Sequence, residues 1–143
     1  MKHLLCGLLA IGALAVLGSC DSGSPGLILG DQVGVQLVND TDYDVDVVIR
    51  YHEDPDVSES TLTDDGPELD YAVQSGESIN FQRDCDHLGA IIVESATLRV
   101  LGGLGPTADT RMFRDGEDFS CRDTIVFTFE GSLLDFGITW DVP

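Results

Sequence analysis

Apolar residues recur at every second position from Val33 onward, the period of a pleated strand with one buried face. Val33, Val35 and Leu37 alternate with Gly34, Gln36 and Val38, and Asn39-Asp40-Thr41-Asp42 then supplies turn residues. The next run places Tyr43, Val45, Val47, Ile49 and Tyr51 on one face and Asp44, Asp46, Val48, Arg50 and His52 on the other. Residues Asp54 to Ser78 read as a long acidic, turn-rich connection with a short strand at Leu69 to Val73. Ser78 to Cys85 alternates again through Ile79 and Phe81. AIIVESATLRVL, from Ala90 to Leu101, reads as one long bent strand or two short ones, and Gly102 to Pro106 as a plain loop that breaks it.

Asp115-Gly116 between Met112, Phe113 and Phe119 signals a hairpin. Thr124 to Glu130 alternates through Ile125, Phe127 and Phe129, Gly131-Ser132 turns the chain, and Leu134, Phe136, Ile138 and Trp140 share a face. No stretch shows helical periodicity. Strands with one apolar face and no helices to cover them must close on a second sheet. The expectation is an all-β, antiparallel β-sandwich of immunoglobulin-like size with about seven to nine strands, a small β-barrel being the alternative.

The segment before this domain has a different pattern. After Lys2, residues Leu4 to Leu17 form an uncharged and almost wholly apolar run of 14 residues. A bilayer-spanning helix needs roughly 20, whereas this length suits the hydrophobic region of a secretory signal. The run ends in Leu17-Gly18-Ser19-Cys20, which resembles the lipobox of bacterial lipoprotein precursors: an aliphatic residue, two small residues and a cysteine. The resemblance covers only the leader. It implies cleavage before Cys20, a diacylglycerol thioether and further acylation (palmitate) on that cysteine, and a mature protein of 124 residues. The organisation expected is therefore a signal peptide over 1–19, a lipidated cysteine and flexible linker over 20–32, including Asp21 to Gly26 (DSGSPG), and a β-sandwich over 33–143.

Charge narrows the partners. The chain has 7 Lys+Arg against 26 Asp+Glu, a formal net charge of −19 that becomes −20 when Lys2 leaves with the leader. Such a surface repels nucleic acid and anionic headgroups, so no nucleic-acid partner is expected. With no polybasic patch, the acyl chains on Cys20 must supply the membrane affinity. The expected location is the bacterial cell envelope, membrane-anchored and facing the periplasm or the exterior. Cys6 departs with the leader and Cys20 is acylated, which leaves Cys85 and Cys121 as a disulfide pair in an oxidising compartment. Their alternation with Ile79, Phe81 and Phe119 directs both thiols to the core.

Candidate chemistry is sparse. Asp42 to Glu53 (DYDVDVVIRYHE) matches the EF-hand spacing D-x-D-x-D-G-x-I-x-x-x-E except at its sixth position, where Val47 replaces the glycine that the sharp turn requires. The β-branched run favours a strand, on which Asp44 and Asp46 stand about 7 Å apart. A calcium site built from loop acids is the weaker possibility, with Asp54, Asp56, Asp64, Asp65, Asp84 and Asp86 as candidates if the loops meet at one pole; Glu68 and Asp70 lie in the same acidic stretch. Cys85-Asp86-His87 suggests a nucleophile or zinc ligands, but a thiol with one available partner in an exported protein is better read as oxidised. G-x-S-x-G and H-E-x-x-H are absent, and Asn39-Asp40-Thr41, though a glycosylation sequon, is better read as a turn in a bacterial protein. The function expected is a binding, adhesion or envelope-structural module rather than an enzyme. The alternative is a small exported hydrolase using loop carboxylates, and a third possibility is an accessory subunit of a larger envelope complex, with an envelope protein as its partner.

Overall fold

The computed structural model describes residues 30–143 with the exception of Gly102. The leader at 1–19, Cys20 and most of the expected linker lie outside the described residues. Among the described residues no helix is long and apolar enough to cross a membrane.

Among the described residues nine strands form two sheets. They are β1 (Gln32–Asn39), β2 (Val45–His52), β3 (Glu68–Val73), β4 (Ser78–Asp84), β5 (Ala90–Val100), β6 (Gly103–Ala108), β7 (Phe113–Arg114), β8 (Thr124–Glu130) and β9 (Gly137–Asp141). One sheet has the order β4-β1-β8-β9; the other has β3-β2-β5-β6, with β7 also paired to β5. The architecture is an all-β sandwich of two separate sheets, not a closed barrel. Its pairs are antiparallel apart from β1 and β8, which run parallel with Val35 opposite Ile125 and Leu37 opposite Phe127.

The period-two pattern explains the core. Val33, Val35 and Leu37 of β1, Val45, Val47 and Ile49 of β2, and Ile125, Phe127 and Phe129 of β8 are all buried between the sheets. Asp42 to Glu53 thus contains a strand rather than a calcium loop. β5 needs more than alternation, because its first four residues are all buried. A register shift opposite Val48 and Ile49 lets Ile91 and Val93, and then Ala96 and Leu98, join the main core. Ala90 and Ile92 occupy the other face, where they join Val57, Leu62 and Met112 in a second cluster.

That second cluster requires a helix, which corrects the reading of 54–78 as a turn-rich connection whose one element is the strand at 69–73, present here as β3. Helix α1 (Glu59–Asp65) is capped by Ser58, whose side chain accepts from the Thr61 N–H, and its single buried residue, Leu62, covers β5. Gly103 to Ala108 is a further correction, since it forms β6 instead of a loop. Pro106 is tolerated there because β6 is the edge of its sheet. Asp115-Gly116 does turn the chain, with Gly116 at φ 78° and its N–H donating to the Phe119 carbonyl. The strand before that turn, β7, nevertheless pairs with β5 and not across the turn. Leu134 falls in the turn before β9, so it does not share a buried face with Ile138.

Candidate functional site

The register places the loops at two ends. Gln32 lies opposite Asp84 and His52 opposite Ala90, so the start of β1 shares an end with the ends of β2 and β4. The chain enters β1 at this end, which is the tether end in the expected lipid-anchored arrangement. Here the structure gathers the expected loop acids: Asp54 and Asp56 follow β2, Asp64 and Asp65 close α1, Asp84 ends β4, and Asp86 sits in a 3-10 turn over Cys85–His87. Gly89 ties the turn down. Its N–H donates to the His52 carbonyl, and a Cβ at this position would lie 2.2 Å from the Glu53 carbonyl oxygen, so glycine alone permits the approach.

The acids share an end but not a coordination sphere. Asp54 accepts from the Asp56 N–H, and Asp84 accepts from the Gln32 amide. Among the described residues no group of three or more His, Cys, Asp or Glu side chains is placed to hold one ion. Asp44 and Asp46 have structural partners, Asp44 accepting from the Ser75 N–H and Asp46 pairing with Arg99 at 2.8 Å.

Cys85 and Cys121 form the expected disulfide, with Cα atoms 5.4 Å apart. It joins the 3-10 turn to the segment before β8. Only Cys85 packs against the core; Cys121 is exposed, because it lies in the turn between Phe119 and β8, and this corrects the expectation that both thiols face inward.

Sequence spacing gave no sign that His52 and His87 would meet. Both line a cleft of about 260 Å³ at the tether end, together with Tyr51, Glu53, Asp65 and Pro67. The His52 Nδ1 accepts from the Asp54 N–H at 3.0 Å, which leaves Nε2 to carry the proton of the neutral ring. The His87 Nδ1 is 3.7 Å from Asp84, beyond hydrogen-bonding distance. Imidazole, carboxylate and phenol groups around an open hollow can hold a polar or cationic group. A second hollow of about 390 Å³ lies on the outer face of β2 and β3 and is closed at one side by the Asp46–Arg99 pair.

The arginines are mostly committed to the fold. Arg50 bridges Glu68 and Glu94, Arg111 pairs with Asp118, and Arg122 with Asp31. Arg114 donates to the carbonyls of Pro55 and Val57, holding the loop before α1. Arg83 lies over the Tyr51 ring, 4.9 Å from its centroid. Among the described residues no carboxylate is buried.

Leu101, Leu133 and Leu134 were not expected as exposed residues. Leu101 and Leu134 are 106% and 98% exposed, at the end opposite the tether. Leu101 ends one run read as strand and Leu134 begins another, so the alternation itself gave no sign of this.

No family model matches the chain, and no curated protein matches it. Solved structures do align with it. The T6SS lipoprotein TssJ1 from Pseudomonas aeruginosa aligns over 78% of this chain and 95% of its own, at 12% identity and a TM-score of 0.50. A protein from Eubacterium rectale aligns over 79% and 89%, at 14% identity and a TM-score of 0.45. Listeriolysin O aligns over 78% of this chain but 22% of its own, at 9% identity and a TM-score of 0.47. At these identities the likeness to TssJ1 is one of fold, a two-layer β-sandwich of nearly the same extent.

Proposed function

We propose that this chain is a lipid-anchored protein of a bacterial envelope, in which Cys20 holds an acidic β-sandwich at a membrane surface as a binding, adhesion or structural module. The observation that carries the reading is Leu17-Gly18-Ser19-Cys20, which closes the 14-residue uncharged run Leu4 to Leu17 and precedes the Ser/Gly/Pro stretch Asp21 to Gly26. The fold likeness to TssJ1, a lipoprotein, agrees with it. Binding is favoured over hydrolysis because the described carboxylates are exposed or half-buried, with none enclosed in a site that excludes water. The two hollows are open surfaces suited to contact rather than to excluding water.

Fractionation of cells expressing the full chain and its Cys20→Ser variant tests the anchor. The parent is expected in the membrane fraction, released by detergent but not by salt, and the variant in the soluble fraction. A variant that stays with membranes would contradict the reading.

A further inference from the structure

The end opposite the tether carries apolar side chains that folding does not use. Asn39 lies opposite Phe129, Val38 opposite Ser78 and Val45 opposite Leu98. The β1–β2, β3–β4, β5–β6 and β8–β9 turns therefore share this end. Leu101 stands in the β5–β6 turn, and Leu133 and Leu134 stand in the β8–β9 turn. The strands that follow these turns, β6 and β9, lie against each other, so both turns leave the same side of the sandwich. The β8–β9 turn is built, not slack. Asp135 accepts from the Ser132 N–H at 2.7 Å, and the Asp135 N–H donates to the Ser132 carbonyl at 3.3 Å.

Three occupants can cover exposed leucines, and charge and geometry choose among them. The anchoring bilayer is on the wrong side: the tether joins at Gln32, and the eight residues of β1 put about 26 Å between the two ends. A tether able to let the domain turn over would then present exposed Asp40, Asp42, Glu77, Glu130 and Asp135 to the headgroups, with no lysine or arginine in the same turns to offset them. A second copy would bring the same acidic rim against itself, each mature chain having a formal charge of −20. A protein surface of opposite charge meets neither obstacle.

We propose that the turns bearing Leu101, Leu133 and Leu134 are the docking end for a second envelope protein, which offers an apolar pocket rimmed by lysine or arginine. The direction in which this end faces rests on the lipid-anchored reading above. Buried leucines supply the attraction, and the carboxylate rim fixes orientation and excludes acidic partners.

Photo-crosslinking in the cell that makes the protein tests this, with a photoreactive residue placed in the full chain at Leu101, at Leu134 or, as a control at the tether end, at Asp56. Positions 101 and 134 are expected to capture the same protein and position 56 not to. Sequencing of the crosslinked peptide should show apolar residues flanked by lysine or arginine. Leu133→Ser with Leu134→Ser, and separately Asp40→Lys with Asp42→Lys, should each lower its co-purification at least tenfold without changing the melting temperature. Absence of an adduct at both positions, an adduct to another copy, or a common adduct whose peptide lacks basic residues would overturn the proposal. So would flotation of the Cys20→Ser chain with phosphatidylcholine vesicles that the leucine substitutions abolish. Fractionation of the Cys20→Ser variant reports the anchor separately, so the two readings fail by different results.

Discussion

The side-chain amide of Asn39 donates to the carbonyl oxygen of Val73 at 3.0 Å, joining the end of β1 in one sheet to the end of β3 in the other. The same nitrogen donates to the Tyr43 carbonyl at 2.8 Å, while the Asn39 Oδ1 accepts from the N–H and hydroxyl of Thr41. Asn39 is 1% exposed, so these bonds replace water for a buried amide. Asn39→Ala takes the side-chain donor from the Val73 carbonyl and the acceptor from the Thr41 N–H, while the Thr41 hydroxyl still donates to the Tyr43 carbonyl, and should lower unfolding free energy by about 2–4 kcal/mol in urea titration. Asn39→Asp, which cannot donate to the two carbonyls, should be at least as damaging.

Phe113 organises the opposite side of the core. Its ring meets Phe127 edge-on at 5.4 Å and Trp140 at 4.8 Å, and the Arg111 guanidinium lies over both Phe113 and Trp140. Phe113→Ala should lower unfolding free energy by about 3–5 kcal/mol. Trp140 is the chain's single tryptophan, so loss of this packing should also shift its fluorescence to the red.

The disulfide closes a sequence separation of 36 residues. Replacing both Cys85 and Cys121 with serine should lower unfolding free energy by up to about 4 kcal/mol if restriction of the unfolded chain is the cause. A reductant should destabilise the parent similarly and leave the double variant unchanged.

Acid stability should depend on Asp118. The Arg111 guanidinium, hydrogen-bonded to it, and the Arg114 N–H hold its carboxyl below the usual value of 3.8, against a smaller opposing effect of burial. A lowered folded-state pKa means that this stabilisation is complete above the unfolded value and is lost as pH falls through the folded one. Melting temperature should therefore decline below about pH 4, in the range where ordinary aspartates protonate. Asp118→Asn should lower stability at pH 7 and flatten that acid limb.

The parts of the fold readable from sequence are those where one strand face meets one sheet. β1, β2 and β8 announce themselves because Val33 to Leu37, Val45 to Ile49 and Ile125 to Phe129 alternate cleanly. Helix α1 does not, because its seven residues bury only Leu62, too little for a period of 3.6 to register. Its available signal was local, Ser58 as a cap. The four-residue buried run at the start of β5 is ambiguous for a related reason, since its second face is covered by that same helix. The Asp115-Gly116 turn is locally encoded, whereas the partner of β7 is set by a contact with Ile91, distant in sequence. At the candidate site, Cys85 and Cys121 followed from counting thiols. The meeting of His52 and His87 in one cleft depends on the close approach of Gly89 to the Glu53 carbonyl, which no spacing rule reveals.

The most direct measurement of the central claim is the intact mass and N-terminal sequence of the polypeptide purified from membranes. The account predicts a chain of 124 residues that starts at Cys20, with added mass equal to a diacylglycerol and further acyl groups on that residue. A chain that retains its leader, or one with an unmodified Cys20, would contradict it.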